Sequence, residues 1–138
     1  MIEVIAVLIV MAIVSSLIAY RGTTHTNELL TEAEILKSHL RYAQIRAMNA
    51  TVPWGIHVDG AGAYSLYVNN VEADADYILP GETEQTHKLS TGVIITSGIA
   101  TYNFNDWGSP GTADLTITLT QGTSTNNITI TKNTGFIP

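Results

Sequence analysis

The chain contains no cysteine. That removes disulfide frameworks, thiolate metal sites and cysteine nucleophiles, and leaves the redox compartment open. Charge is scarce: Asp, Glu, Lys and Arg make up only 13% of the 138 residues against 45% apolar ones, which excludes a disordered chain. Proline is absent before Pro53, so nothing there forbids a long helix. Basic residues nearly vanish after Ala50, where Lys88 and Lys132 stand against eight acids. Four acids and four bases cancel before that point, so the whole net charge of -6 falls on the later part. Such a domain repels phosphate backbones, and no nucleic-acid partner is expected. Also missing are an HExxH pair, a GxSxG elbow, and a glycine-rich phosphate loop ahead of a helix. His25, His39, His57 and His87 lack any paired ligand spacing. The sequence therefore predicts no enzyme, catalytic residue, metal site or cofactor.

The length bounds the chain to one small domain plus an appendage. Val4 to Tyr20 holds no charged residue, and as a helix it extends about 25 Å, close to the thickness of a hydrocarbon core. It is apolar all round, which excludes an ordinary surface helix. A membrane segment, a signal peptide and a fully buried helix stay open. A secretory signal wants positive charge before the run, but Glu3 precedes it and Arg21 follows it, and no Ala-x-Ala cleavage pattern stands near Leu17 to Gly22.

Beyond Gly22, Leu29, Ala33, Leu36, Leu40, Ala43 and Ala47 recur at spacings of four and three and form one helical face. Glu28, Glu32, Glu34, Lys37, Arg41 and Arg46 fall mostly off it, acids early and bases late as the helix dipole favours. The simplest reading is one continuous helix from Glu3 to Met48, roughly 70 Å long. After Asn49 the pattern changes to short alternating runs between turn residues, the mark of antiparallel strands. Trp54 to Val58 and Tyr64 to Val68 flank an Asp59 to Ala63 turn, and further strands are expected at Gly92 to Thr96, Ala100 to Phe104, Leu115 to Thr120 and Asn127 to Lys132. Threonines opposite Leu115, Ile117 and Leu119 predict a half-solvated sheet, whose apolar face the helix stripe covers. Asn69 to Gln85 reads as the loosest segment.

Glu3 is the most informative residue. A carboxylate at the mouth of an apolar helix costs roughly 3 kcal/mol in lipid, so it seeks a partner unless it lies among headgroups. Ser15 and Ser16 are expected to pack by backbone bonding rather than act as nucleophiles. Glu72, Asp74 and Asp76 alternate as calcium ligands do, but lack the EF-hand glycine and closing glutamate, so a solvated loop is expected. Trp54 and Trp107 are expected in the core.

The opening Ile2-Glu3-Val4-Ile5-Ala6-Val7-Leu8-Ile9-Val10-Met11-Ala12-Ile13-Val14 resembles the amino-terminal segment of type IV pilins and type II secretion pseudopilins. That segment normally reads Gly-Phe-Thr-Leu-Ile-Glu before the apolar run, with cleavage after the glycine and methylation of the new amine. Glu3 and Ile2 match its last two positions, and Met1 stands where the leucine would be. The helix end Ser38 to Met48, the Phe104-Asn105-Asp106-Trp107-Gly108-Ser109-Pro110 turn and the closing Ile128 to Gly135 are similar to the minor subunits of the GspH and FimT group, and to MSHA-type minor pilins.

The resemblance implies an α+β, pilin-like fold: a long amino-terminal helix with a transmembrane first half, packed on an antiparallel β-sheet domain. Residues 1–22 would be the transmembrane, filament-core half, 23–50 the amphipathic half, and 51–138 the sheet domain, which folds together with 23–50. Val4, Ile5, Val7, Leu8, Val10, Met11, Val14, Leu17 and Ile18 would form the membrane helix. Glu3 would pair with a neighbour's amino-terminal amine during assembly. Implied partners are other pilin or pseudopilin subunits, inner-membrane lipid and, if the true start lies upstream, the prepilin peptidase. The implied function is that of a structural subunit of a type IV pilus or type II secretion pseudopilus, in filament assembly and protein secretion. It would be anchored by a single pass in the bacterial inner membrane, with the sheet domain on the periplasmic side. The rival readings are a membrane-tethered adhesive or ligand-binding domain outside any filament, a DNA-capturing pilin, which the acidic domain disfavours, and a secreted protein with a cleaved signal.

Overall fold

The computed structural model describes residues 2–138, with the side chains of Ile2 and of residues 16–26 outside the described set. A single helix, α1, runs Ile2–Met48. Glu3 in its first turn and Arg46 in its last complement the helix dipole. It stops where the Asn49 side chain donates to the Ile45 carbonyl while the amides of Asn49 and Ala50 turn back onto Arg46 and Ala47. Those bonds satisfy carbonyls that a helix end otherwise leaves unmet.

Eight strands follow: β1 Trp54–Val58, β2 Ala63–Val68, β3 Val71–Glu72, β4 Thr86–Lys88, β5 Val93–Ser97, β6 Thr101–Phe104, β7 Leu115–Gln121 and β8 Ser124–Ile130. All their pairings are antiparallel, as the alternation predicts. They divide into two sheets, however, rather than continuing as one. The first has the order β3-β2-β1-β6 with β4 also on β2, and the second has the order β5-β7-β8. In the first sheet Ile56 sits opposite Leu66 on one side and Tyr102 on the other, which aligns the apolar face across three strands. Gly55 lies opposite Asn103, and a Cβ there would overlap the backbone of Tyr102 and Asn103. In the second sheet Ile117 pairs with Ile128, and Leu115 with Ile130. β8 begins three residues earlier than its alternation suggests, because Gly122 with φ of 60° permits a two-residue turn straight out of β7.

Both sheets pack on α1. Leu29, Ala33, Leu36, Leu40, Ala43 and Ala47 are all buried, as the periodicity requires, against Ile56, Leu66, Phe104, Ile117, Leu119, Ile128 and Ile130. The mixture of leucine and alanine along that stripe brings the strands close without leaving gaps. Asn69 to Gln85 is more ordered than its composition suggests. Asn69 and Asn70 both take positive φ in a tight hairpin between β2 and β3, Ala73 and Leu79 are buried, and β4 follows at once. Trp54 lies in the core as expected, whereas Trp107 does not: 80% of it is exposed. The core position in its stretch belongs to Phe104, and the turn after it swings the indole outward.

Among the described residues, no helix is long and apolar enough to cross a membrane. Of the expected membrane residues, Val4, Ile5, Val7, Leu8, Val10, Met11 and Val14 lie on the described part of α1, and the side chains of Leu17 and Ile18 lie outside it.

Because Leu36 and Leu40 are fully buried, replacing either by alanine is expected to cost about 2–5 kcal/mol. Thr116→Ala on the exposed side of β7 is expected to stay within about 0.5 kcal/mol. Urea denaturation followed by circular dichroism measures both, and equal midpoint shifts would show that the helix stripe is not the core.

Candidate functional site

Three arrangements carry chemistry beyond packing. The first is the described beginning of α1. Val4, Ile5, Val7, Leu8, Ile9, Val10, Met11, Ile13 and Val14 are each 49–65% exposed, and no strand packs on them. Each is about 2 kcal/mol better off out of water, so this segment is built to be covered by something other than its own chain. Glu3 stands exposed at its start. Ser15 is exposed on the same stretch.

The second is a buried polar network between α1 and the first sheet, which sequence reasoning missed. Glu32, His39 and His87 are 4%, 2% and 6% exposed. Glu32 accepts the Ser90 backbone N–H at 2.9 Å and its hydroxyl, and lies 3.0 Å from His87 Nε2. Glu82 meets the other nitrogen, Nδ1, at 2.7 Å. Both His87 nitrogens therefore face carboxylate oxygens. His39 has different surroundings. Its Nε2 faces the Pro80 carbonyl at 3.0 Å, an acceptor only, so Nε2 carries the hydrogen and Nδ1 accepts from the Tyr64 hydroxyl at 2.9 Å.

The electrostatics agree with a neutral His39. Burial raises the Glu32 carboxyl, but the hydrogen bonds from Ser90 and His87 outweigh it and hold Glu32 below the usual carboxylate value. Burial also lowers His39 below the usual histidine value, against the pull of the Pro80 carbonyl. Tyr64 is pushed far up, first by burial and then by the charges of Glu32 and Glu82, so its hydroxyl stays a donor. Glu32 and Glu82 reach His87 from opposite edges of the ring and do not converge on a common point. Among the described residues no group of acids and histidines is placed to hold a metal ion.

No local pattern announces this network, because its members come from α1, β2, the segment before β4, β4 itself and the turn after it. The one available signal is that Glu32 and His39, seven residues or about two turns apart, fall on one side of the helix beside the apolar stripe. His57 stands apart, bonded to Thr101 and stacked on Tyr67. The side chain of His25 lies outside the described residues. Glu72, Asp74 and Asp76 are exposed, as expected of a solvated loop.

The third arrangement is the corner at the end of α1. The Gln44 side-chain nitrogen donates to the carbonyls of both Gly108 and Gly135, at 2.8 and 3.0 Å. Gly135 has φ of 65°, and a Cβ there would overlap the Gly108 carbonyl. The turn around Gly108 is closed by Asn105, whose side-chain oxygen accepts from the amides of Trp107 and Ser109. Trp107 and Phe136, next to these two glycines, are left exposed, as are Ile45 and Met48 on the helix. Arg41 donates to the Ile137 carbonyl and ties down the end of the chain.

No protein-family model matches the chain, and no curated protein matches it in sequence. Its fold does match solved structures. The type IV minor pilin FimU of Pseudomonas aeruginosa, in one crystal form, superposes with a TM-score of 0.58 at 19% identity, over 84% of this chain and 90% of that one. A second crystal form of FimU gives 0.55 at the same identity, over 80% and 90%. The likeness is one of fold, and the fold is type IV pilin-like.

Removing Glu32 leaves the His87 ring buried with one carboxylate fewer, and Glu32→Ala is expected to cost about 3–5 kcal/mol. Removing Glu34, whose pair with Lys37 is on the surface, is expected to cost less than about 1 kcal/mol. Denaturation midpoints of the two variants at pH 7 make the comparison, and a Glu32 variant as stable as the Glu34 one would show that the network does not hold the fold.

Proposed function

We propose that the chain is a minor pilin or pseudopilin, a membrane-anchored structural subunit of a type IV pilus or type II secretion pseudopilus. The observation that carries this is the pairing of a pilin-like head with an unpartnered apolar helix segment that opens on Glu3. In this reading the run Val4 to Tyr20 is stored in the inner membrane and then transferred among the helices of like subunits, so that its apolar surface stays out of water throughout. The sheet domain stands on the periplasmic side and, after assembly, decorates the filament. Other pilin or pseudopilin subunits are its partners, and the prepilin peptidase would process the precursor and methylate the new amine. Glu3 selects register by pairing with a neighbouring subunit's terminal amine, a desolvated charge pair that costs energy in any other position. Its role is structural rather than enzymatic.

One observation favours a second reading. Trp107 is held outward on a hydrogen-bonded turn, as a binding platform of a tethered adhesive or ligand-binding domain would hold it. The two readings part at Glu3. Tethering needs only the summed apolarity of the run, whereas assembly needs the charge.

Glu3→Ala is therefore expected to leave membrane insertion intact and to remove the chain from filaments. Fractionating native cells into membrane and sheared filament pools measures this, with the amino-terminal mass of the same sample recorded. A variant found in filaments at the wild-type ratio, from a processed and methylated chain, overturns the pairing role and favours the tethered domain.

A further inference from the structure

We infer that the segment from Ala73 to Gln85 is a clasp closed on α1 through His39 and released by acid. The segment lies between β3 and β4 and has no ladder of its own. It is held to the rest of the molecule by a few attachments: the Ala73 amide to the Leu66 carbonyl, Tyr77 edge-on to Trp54 and under Arg46, Leu79 in the core, Pro80 to His39 and Glu82 to His87. Segments fastened in this way open locally at less cost than strands within a sheet.

His39 is the one attachment point whose charge change works against closure. The charged and titratable groups around it are Glu32 on α1, Tyr64 on β2, Glu82 on the segment itself and His87 on β4. Its two nitrogens are already taken by the Pro80 carbonyl and the Tyr64 hydroxyl, so neither carboxylate bonds to it. The His87 ring, lying between both carboxylates, is 5.6 Å away. Protonating His39 in place would bury a cation without a carboxylate contact and would turn Nδ1 from acceptor to donor against a hydroxyl that already donates.

Lifting the segment gives the ring to water, where it takes up a proton near pH 6.5. The open form thus binds one more proton than the closed form. Closure is favoured above that pH and weakens as pH falls toward the lower value of the buried ring. Between pH 8 and pH 5 the opening equilibrium rises by at most about thirtyfold, the limit set by a closed-state ring that stays neutral. Glu32 contributes with the same sign only below its ordinary carboxylate range, and the His87–Glu82 contact on the segment is present with or without His39, so the difference between wild type and a His39 variant at pH 5 and above isolates His39. The clasp does not depend on the filament role.

The test is hydrogen exchange on the full chain in detergent micelles, comparing protection of the Ala73, Tyr77 and Glu82 amides, which are bonded to Leu66, Asp74 and Leu79. Between pH 8 and pH 5 their protection factors are expected to fall several-fold, up to the thirtyfold limit. In His39→Gln, which keeps a donor for Pro80 and an acceptor for Tyr64, the fall is expected to disappear. Equal falls in both chains, or none in the wild type, overturn the clasp. A ring-nitrogen NMR titration of the wild type needs no variant: His39 is expected to be the neutral Nε2–H tautomer and to protonate below the ordinary histidine value, and half-protonation at or above about 6.5 overturns the inference.

Discussion

The seam where one helix face meets two separate sheets is the constraint on which the rest of the molecule depends. The sheets share almost no backbone hydrogen bonding; the bond from Ile95 to the Ala61 carbonyl is one of the few that join them. What holds them in one body is the Leu29 to Ala47 stripe, against which both turn their apolar faces. Leucines fill the spaces between strands and alanines let the backbones approach, so neither sheet can shift without opening a cavity beneath the helix. The polar inlay beside the stripe adds direction to this non-directional adhesion. Glu32 and His39 each have partners on specified elements, which fixes how far along the helix the first sheet sits.

Much of the fold is legible in the sequence because its strongest signals are periodic. The four-and-three spacing from Leu29 to Ala47 places the buried face, and the alternation of threonine with Ile117 and Leu119 places β7. What is not legible depends on distant partners. Thr86 to Lys88 is too short to alternate, and it becomes a strand only because the Ala63–Ser65 edge of β2 offers it hydrogen bonds. The division into two sheets is a matter of which strands pair, and pairing leaves no local mark. Asn69 to Gln85 looks loose for its acids and turn residues, yet the few apolar residues among them, Ala73, Tyr77 and Leu79, are the ones that dock.

The same reasoning explains the fate of the candidate sites. Composition rightly places Glu72, Asp74 and Asp76 in water, since carboxylates stay solvated while the apolar residues between them dock. It fails on Trp107, because the size of an indole argues for burial while the turn around Gly108 decides its direction. It fails on the histidines too, since each stands alone in its stretch of chain and two of them meet only through the packing of β2 and β4 on α1. The apolar run is visible at once, because an uninterrupted run needs no partner to be recognised.

Gln44 donates twice from one nitrogen, and both acceptors are carbonyls of glycines that touch each other. A side chain at either glycine closes the space the amide occupies, and a residue at 44 without two hydrogens on one nitrogen at that reach leaves a carbonyl unmet. The three positions lie 64 and 27 residues apart along the chain, yet drift at any one of them is penalised unless the others answer it. Among descendants of this sequence, 44, 108 and 135 should be inherited or lost as a set, a correlated triplet that would trace the lineage of this corner even where overall identity has decayed.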